Sequence, residues 1–281
     1  MHLVFGHARA TRWMRAALAA TALAAGLAGC VTTGAPPKSP YHANNDDDIK
    51  TASDQTTADR LSNTRMELAV AYLGRNQPTD ALDQVKQALQ AKPNNPAAYG
   101  LRGLIYASLG DNEKADESFQ RALQLAPHDG DLMHNYGWYM CQQRRWADAN
   151  AEFSQAIAEP SYRQVPRTML VQGICQLRAD KPQEAEKTLA RAYELDPANP
   201  TIAVNLAEVL YRNGQYERAR FYIRRVNGKQ ELANAQTLWL AARIEHRLGQ
   251  QEQVNGLGAQ LHNRFPEAPE TVLFEKGKFD E

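Results

Sequence analysis

From residue 62 onward, apolar and polar residues follow a recurring pattern. ALDQVKQALQAKP at 81–93 is echoed by KADESFQRALQLAP at 114–127, DANAEFSQAIAEP at 148–160 and EAEKTLARAYELDP at 184–197. In each stretch the apolar residues fall three or four positions apart, the spacing that places them on one face of a helix. Strand-like alternation does not stand out in the sequence, so the pattern predicts an all-α domain.

The repeats have a period of 34 residues, which separates Ala81, Ala115 and Ala149 and also Pro93 and Pro127. This period, with small residues at fixed places, is the tetratricopeptide pattern of two antiparallel helices per unit. We expect the small residues where the two helices cross closely. The sequence predicts a right-handed superhelical solenoid with an extended concave surface. Its six units are expected at about 62–95, 96–129, 130–163, 166–199, 200–233 and 235–268, followed by a cap or frayed tail at 269–281.

The N-terminus carries the features of a bacterial lipoprotein signal peptide. Three arginines precede an apolar run at 16–26, which is too short and too rich in Ala and Gly to span a bilayer, and Leu27-Ala28-Gly29-Cys30 follows. We expect residues 1–29 to be removed and the Cys30 thiol to carry lipid; the alternative is a secreted protein with an incidental cysteine. Val31 after the cysteine resembles lipoproteins sorted to the outer membrane, which predicts a protein anchored there by lipid and facing the periplasm.

Residues 30–61 are rich in Pro, Ser, Thr and Asp and poor in large apolar residues, which predicts a disordered tether. Without residues 1–29, the chain has 29 basic against 32 acidic residues and a net charge near −3. That charge gives no basic field for nucleic acid. Sequence motifs for catalysis, cofactor binding or metal binding are also lacking, so we expect a non-enzymatic protein without cofactor, metal or small-molecule substrate.

Cys141 and Cys175 remain as a pair after lipidation of Cys30, and they are 34 residues apart. Both fall late in the first helix of consecutive units, and these helices are expected to pack side by side. In an oxidising compartment this placement predicts a disulfide between units three and four. Two buried free thiols in tight helix packing are the alternative.

The first helix of each unit is expected to line the concave surface. Its predicted partner-binding positions are apolar toward the N-terminal half and rich in arginine toward the C-terminal half, which suits an extended or helical peptide with an acidic part. For each single position, packing between helices is an equal alternative. The positions are Met66, Val70, Leu73, Leu104, Asp131, His134 and Trp138 in units one to three, and Arg167, Leu170, Ile174, Arg178, Tyr211, Arg212, Trp239, Arg243 and Arg247 in units four to six.

The sequence resembles the type IV pilus biogenesis lipoproteins of the PilF/PilW family over nearly its whole length. The LAGC segment with its tether is one match. The others are the segment from His134 to Cys141, Gly173-Ile174-Cys175, and a C-terminal pattern formed by Leu238-Trp239-Leu240, Arg243-Ile244-Glu245 and Arg264-Phe265-Pro266. His134 is a departure, since the family often has Asn there.

The resemblance implies a pilotin, an outer-membrane lipoprotein that binds secretin subunits and helps them to localise and multimerise. We therefore expect secretin subunits and the membrane as partners, with no nucleic acid. One alternative is another periplasmic lipoprotein scaffold, for peptidoglycan hydrolases or for outer-membrane protein assembly. Another is an enzyme or redox protein that uses the cysteines, which lack CxxC proximity and a visible activating group.

Overall fold

The computed structural model of the chain describes residues 55–279, which contain thirteen α-helices and no strand. The all-α prediction is confirmed for this part of the chain. The helices are α1 Thr57–Gly74, α2 Pro78–Ala91, α3 Pro96–Leu109, α4 Asn112–Leu125, α5 Gly130–Gln142, α6 Trp146–Ala158, α7 Val165–Arg178, α8 Pro182–Leu195, α9 Pro200–Arg212, α10 Tyr216–Asn227, α11 Ala235–Arg247, α12 Gln251–Arg264 and α13 Pro269–Glu275.

The first twelve helices form six pairs that match the six predicted units. In each pair the first is called helix A and the second helix B, and the two pack against each other across a short turn. Helices α2, α4 and α8 end two residues before Pro93, Pro127 and Pro197, because proline cannot continue a helix. The connection between α6 and α7, residues 159–164, is longer than the four-residue connections after α2, α4 and α8, and the connection between α10 and α11, residues 228–234, is longer still.

The first helix begins earlier than the sequence pattern predicted. Residues 57–61 were assigned to the tether for their polar composition, but they form the first turn of α1. The Asp59 N–H donates to the Thr56 hydroxyl at 3.1 Å, and the Thr56 N–H donates to the Asp59 carboxylate at 3.0 Å. This reciprocal capping box satisfies two N–H groups that would otherwise lack partners, so the helix starts at Thr57.

Small residues allow the two helices of a unit to approach closely. Ala81, Ala115, Ala149, Ala185 and Ala219, one on each of the first five B helices, are fully buried. A Cβ atom on Gly103 would lie 2.8 Å from the Phe119 ring, and one on Gly173 would lie 2.5 Å from Leu189. The missing side chains on the A helices therefore make the space that large apolar residues of the B helices fill.

The backbones of successive A helices come close to one another along the stack, whereas those of successive B helices do not within the described residues. Long side chains still reach between B helices α8 and α10, where the Tyr193 and Tyr222 rings lie 4.9 Å apart. Each of the first five B helices packs against the A helix of its own unit and that of the next unit. Elements closer together at one side of a stack than at the other make the stack curve. The A helices therefore line the concave side of the predicted superhelix.

Helix α13 covers the C-terminal end of the stack by packing on α11 and α12. The Phe274 ring sits against Gly258, where a Cβ atom would lie 2.1 Å from the ring. The segment predicted as a cap or frayed tail is therefore a cap, at least as far as Phe279.

The predicted signal peptide, Cys30 and most of the predicted tether lie outside the described residues, as do Asp280 and Glu281. Within the part of the chain that the structure describes, none of the helices has the length and apolar character needed to cross a membrane.

Candidate protein-binding groove

The sixteen predicted groove residues all lie on A helices, but they differ in accessibility. Val70, Asp131, Arg167, Arg178, Arg212 and Arg247 are exposed. Met66, Leu73, Leu104, Trp138, Leu170, Ile174 and Arg243 are half-buried, and His134, Tyr211 and Trp239 are buried.

The apolar residues of the N-terminal part of the predicted groove differ in their contacts. Met66 and Leu73 pack partly against the cluster that contains Ala69 and Ile105, whereas Val70 on the same helix is 57% exposed. Packing between helices thus accounts for part of this apolar set, and the remainder faces solvent.

At the centre of the groove, Trp138 of α5 and Arg178 of α7 contact each other. The Arg178 guanidinium lies 5.2 Å from the centre of the Trp138 ring, in the geometry of a cation–π interaction. The pair brings an aromatic surface and a positive charge together from adjacent units. A peptide with an acidic side chain near an apolar one would complement both groups.

A disulfide joins Cys141 to Cys175 next to this pair, with their Cα atoms 5.9 Å apart. It connects the C-terminal turns of α5 and α7, and both cysteines are buried. The bond fixes the spacing of the two helices that carry Trp138 and Arg178. A covalent constraint at this point reduces the conformational entropy that the groove would lose on binding a partner.

His134 does not belong to the accessible groove, which corrects the sequence-based assignment. It is 4% exposed, and its Nδ1 lies 2.8 Å from the Thr168 hydroxyl, which also lies 2.7 Å from the Tyr162 hydroxyl. Burial, assisted by the positive charge of Arg167, lowers the pKa of His134 from 6.5 to about 4. The uncharged imidazole therefore links α5 of unit three to α7 of unit four, and the residues that connect α6 to α7 cover it.

Tyr211 and Trp239 are also inaccessible to a partner, for a different reason. The segment after α13 turns back over the A helices, and the Phe279 ring lies 5.2 Å from the Trp239 ring. The Tyr211 hydroxyl donates to the Phe279 carbonyl oxygen at 3.3 Å. The C-terminal part of the predicted groove is therefore occupied by the chain itself.

Sequence reasoning missed Phe279 and His246, whose rings stack at 4.3 Å. Neither residue lies at a predicted groove position, and Phe279 lies outside the repeats. The signal available in the sequence was a glycine, Gly277, two positions before a phenylalanine. In the structure Gly277 has a φ of 64°, which glycine adopts readily, and the chain reverses there.

The arginines of the C-terminal part are only partly available as positive charge. Glu208 of α9 accepts from Arg212 Nε at 2.8 Å and lies 4.0 Å from Arg243. Arg243 also lies over the Tyr211 ring, 4.4 Å from its centre. The predicted basic character therefore rests more on Arg167 and Arg178 than on this cluster.

Between residues 55 and 279, no group of three or more His, Cys, Asp or Glu side chains is placed to hold a metal ion. The groove as described offers apolar surface, cation–π pairs and hydrogen-bond donors, which are the means of binding a polypeptide.

Comparisons with known proteins agree with the paired-helix fold. A tetratricopeptide-repeat family model matches residues 66–130 and 141–200, and a second tetratricopeptide-repeat model matches residues 176–244. With six stacked helix pairs and an A-helix groove, the chain is a tetratricopeptide-repeat protein.

Two relatives identify the family within the class of tetratricopeptide-repeat proteins. The type IV pilus assembly protein PilF of Pseudomonas aeruginosa is 26% identical over 258 residues, which are 91% of this chain and 96% of PilF. The crystal structure of PilW, described as a widely conserved type IV pilus biogenesis factor, is 31% identical with a TM-score of 0.68 and covers 76% of this chain and 97% of PilW. The structure of P. aeruginosa PilF, at 22% identity and a TM-score of 0.66 over 79% of this chain and all of that one, shows the same fold. The chain belongs to the PilF/PilW family of tetratricopeptide-repeat proteins.

Proposed function

We propose that this protein is a pilotin of type IV pilus biogenesis. In this proposal it is anchored by lipid at Cys30 to the periplasmic face of the outer membrane, and its groove binds secretin subunits and promotes their localisation and multimerisation. The observation that carries the proposal is the similarity to PilF over 91% of the chain. The groove supports it, because the described residues provide a surface for a polypeptide.

The centre of the groove is the part best suited to hold a partner. Trp138 and Arg178 are at least partly exposed, they come from different units, and the disulfide holds their helices together. The half-buried Leu170 and Ile174 extend the apolar surface along α7. Partly buried aromatic anchors commonly contribute about 2 kcal/mol or more to binding, and rim charges contribute less.

The test is a deletion strain in which heat-stable secretin multimers and surface pili are measured. We expect secretin monomers to be made but poorly assembled, and pili to be lost. Normal multimers and normal twitching in the deletion strain would reject the pilotin role and favour another periplasmic scaffold.

Complementation then locates the binding surface. Trp138→Ala combined with Arg178→Glu should weaken secretin capture by at least tenfold, with the aromatic change responsible for most of the loss. Phe221→Ala is the matched control, because Phe221 is 55% exposed but lies on the B helix α10. Circular dichroism checks that each variant is folded. Full rescue by the double variant would keep the function and move the binding surface elsewhere.

The anchor has its own test. Labelled palmitate should be incorporated into the wild-type chain and not into Cys30→Ser, because that thiol is the proposed site of acylation. Equal labelling of both proteins would refute the anchor and leave the groove proposal standing.

A further inference from the structure

The segment after α13 reaches back over two A helices. Gly277, with a φ of 64°, reverses the chain, and the Phe279 carbonyl oxygen then accepts two hydrogen bonds. One comes from the Tyr211 hydroxyl on α9 and the other from Arg243 Nε on α11, each at 3.3 Å. Both donors stand on A helices, at positions predicted to line the groove.

The Phe279 side chain occupies an aromatic pocket on the same surface. Its ring stacks on His246 at 4.3 Å, lies 5.2 Å from Trp239 and meets Phe274 edge-on at 5.6 Å. An aromatic ring among three others is a favourable but modest contact, about 0.5–1.5 kcal/mol for each good pair.

This contact differs from the cap made by α13. Phe274 fills the space over Gly258 and closes the end of the stack, whereas Phe279 is half-buried and follows three exposed residues, 276–278. The Lys278 N–H donates to the Leu273 carbonyl oxygen at 3.0 Å, so the segment leaves α13 through a bonded turn, and beyond that turn Phe279 is held by its ring and its carbonyl oxygen. Displacing Phe279 alone costs less than displacing a packed helix.

We propose that Tyr211, Trp239, Arg243 and His246 form a binding pocket for an extended peptide that carries an aromatic side chain, and that Phe279 occupies this pocket in cis until a partner displaces it. The two donors would bind a backbone carbonyl oxygen of any sequence, and the rings would select an aromatic residue beside it. The inference deepens the proposed function, because it rests on a groove that binds polypeptides.

A tethered occupant competes strongly with a free peptide. Its effective concentration is on the order of millimolar for a short flexible linker, so Phe279 leaves only a fraction of the pockets empty. The apparent affinity for a free peptide equals the affinity of an empty pocket multiplied by that fraction. Removal of the Phe279 ring should therefore raise the affinity of the pocket for a peptide added in trans.

The experiment uses the full chain and a labelled hexapeptide with the sequence of residues 276–281, KGKFDE. Fluorescence polarisation should show that Phe279→Ala binds it at least tenfold more tightly than the wild-type chain. Phe221→Ala, a phenylalanine truncation on α10 outside the pocket, should bind like the wild type. A peptide with alanine in place of phenylalanine should not bind, and Tyr211→Phe added to Phe279→Ala should reduce the gain.

Equal affinity of wild type and Phe279→Ala, or no binding to either, would overturn the inference. Loss of helicity in Phe279→Ala would also overturn it, since the tail would then be a structural element. Neither result bears on the pilotin proposal, because the assay contains no secretin; conversely, a deletion strain with normal pili would reject that role and leave the pocket in place.

Discussion

At the scale of single residues, the joint between units three and four depends on three buried polar groups. The Thr168 hydroxyl lies within hydrogen-bond distance of both His134 and Tyr162, so the imidazole needs no water and no charge. Tyr162 in turn packs over Gly130, where a Cβ atom would lie 2.5 Å from the ring. Protonation of His134 would place a charge in this site without a compensating carboxylate.

This arrangement predicts a specific loss of stability in acid. The pKa of His134 is 6.5 in the unfolded chain and about 4 in the folded one, so the unfolded state binds the proton more readily. The free energy of unfolding should be unaffected by His134 above pH 6.5 and should fall as the pH drops from 6.5 to 4, by roughly 3 kcal/mol in total.

Urea unfolding at pH 7.5 and pH 4.5 measures this loss. His134→Asn, which cannot titrate, should lose less stability than the wild type over that interval, since other groups contribute equally to both proteins. Parallel losses in the two proteins would show that His134 is not the responsible group.

At the scale of elements, α12 carries two glycines with opposite surroundings. Gly258 faces the Phe274 ring, and a Cβ atom there would lie 2.1 Å away, whereas a Cβ atom on Gly256 would meet nothing within 4 Å. The absence of a side chain at Gly258 therefore makes the space in which Phe274 of the capping helix packs.

Alanine at these two positions should act in opposite directions. Gly256→Ala should stabilise the protein by up to about 1 kcal/mol through helix propensity alone. Gly258→Ala should destabilise it by about 1–3 kcal/mol, because the Phe274 ring and α13 must shift. Thermal unfolding measures both, and limited proteolysis should cleave near α13 sooner in Gly258→Ala. Stabilisation by both changes would mean that α13 docks loosely.

At the scale of the whole molecule, a solenoid is held together by contacts between neighbouring units. The connection between units three and four contains Tyr162, and the disulfide bridges the same boundary. A bond that closes a loop of this length stabilises the folded state by roughly 3–4 kcal/mol in the chain-entropy model.

The disulfide should therefore determine whether the stack unfolds as one body. Cys141→Ser and Cys175→Ser should destabilise the protein by similar amounts, and the double variant by no more than either one, since all three lose the same bond. In each of these three variants, denaturant unfolding should show two transitions in place of one. Peptide mapping without reduction should find the cysteines linked in protein expressed in the periplasm; two free thiols there would refute the bond.

The repeat made much of this structure predictable. Ala81 and Gly103 stand at small-residue positions that recur with the repeat, so the pairing of helices and the placement of small residues could be predicted from it. His134, Tyr211 and Trp239 were misjudged because the groups that cover them, Tyr162 and Phe279, lie in a connection and a tail that the period does not describe. The start of α1 depended on a local cap rather than on apolar spacing.

The contacts between successive A helices also give the concave surface a scale of length. Packed helices lie about 8–10 Å apart, and an extended peptide advances about 3.3 Å per residue, so each unit corresponds to about three residues of a partner. Successive units would then contact side chains of that partner at intervals of about three. Binding to the stack would thus depend on the spacing of residues in the partner as well as on their identity.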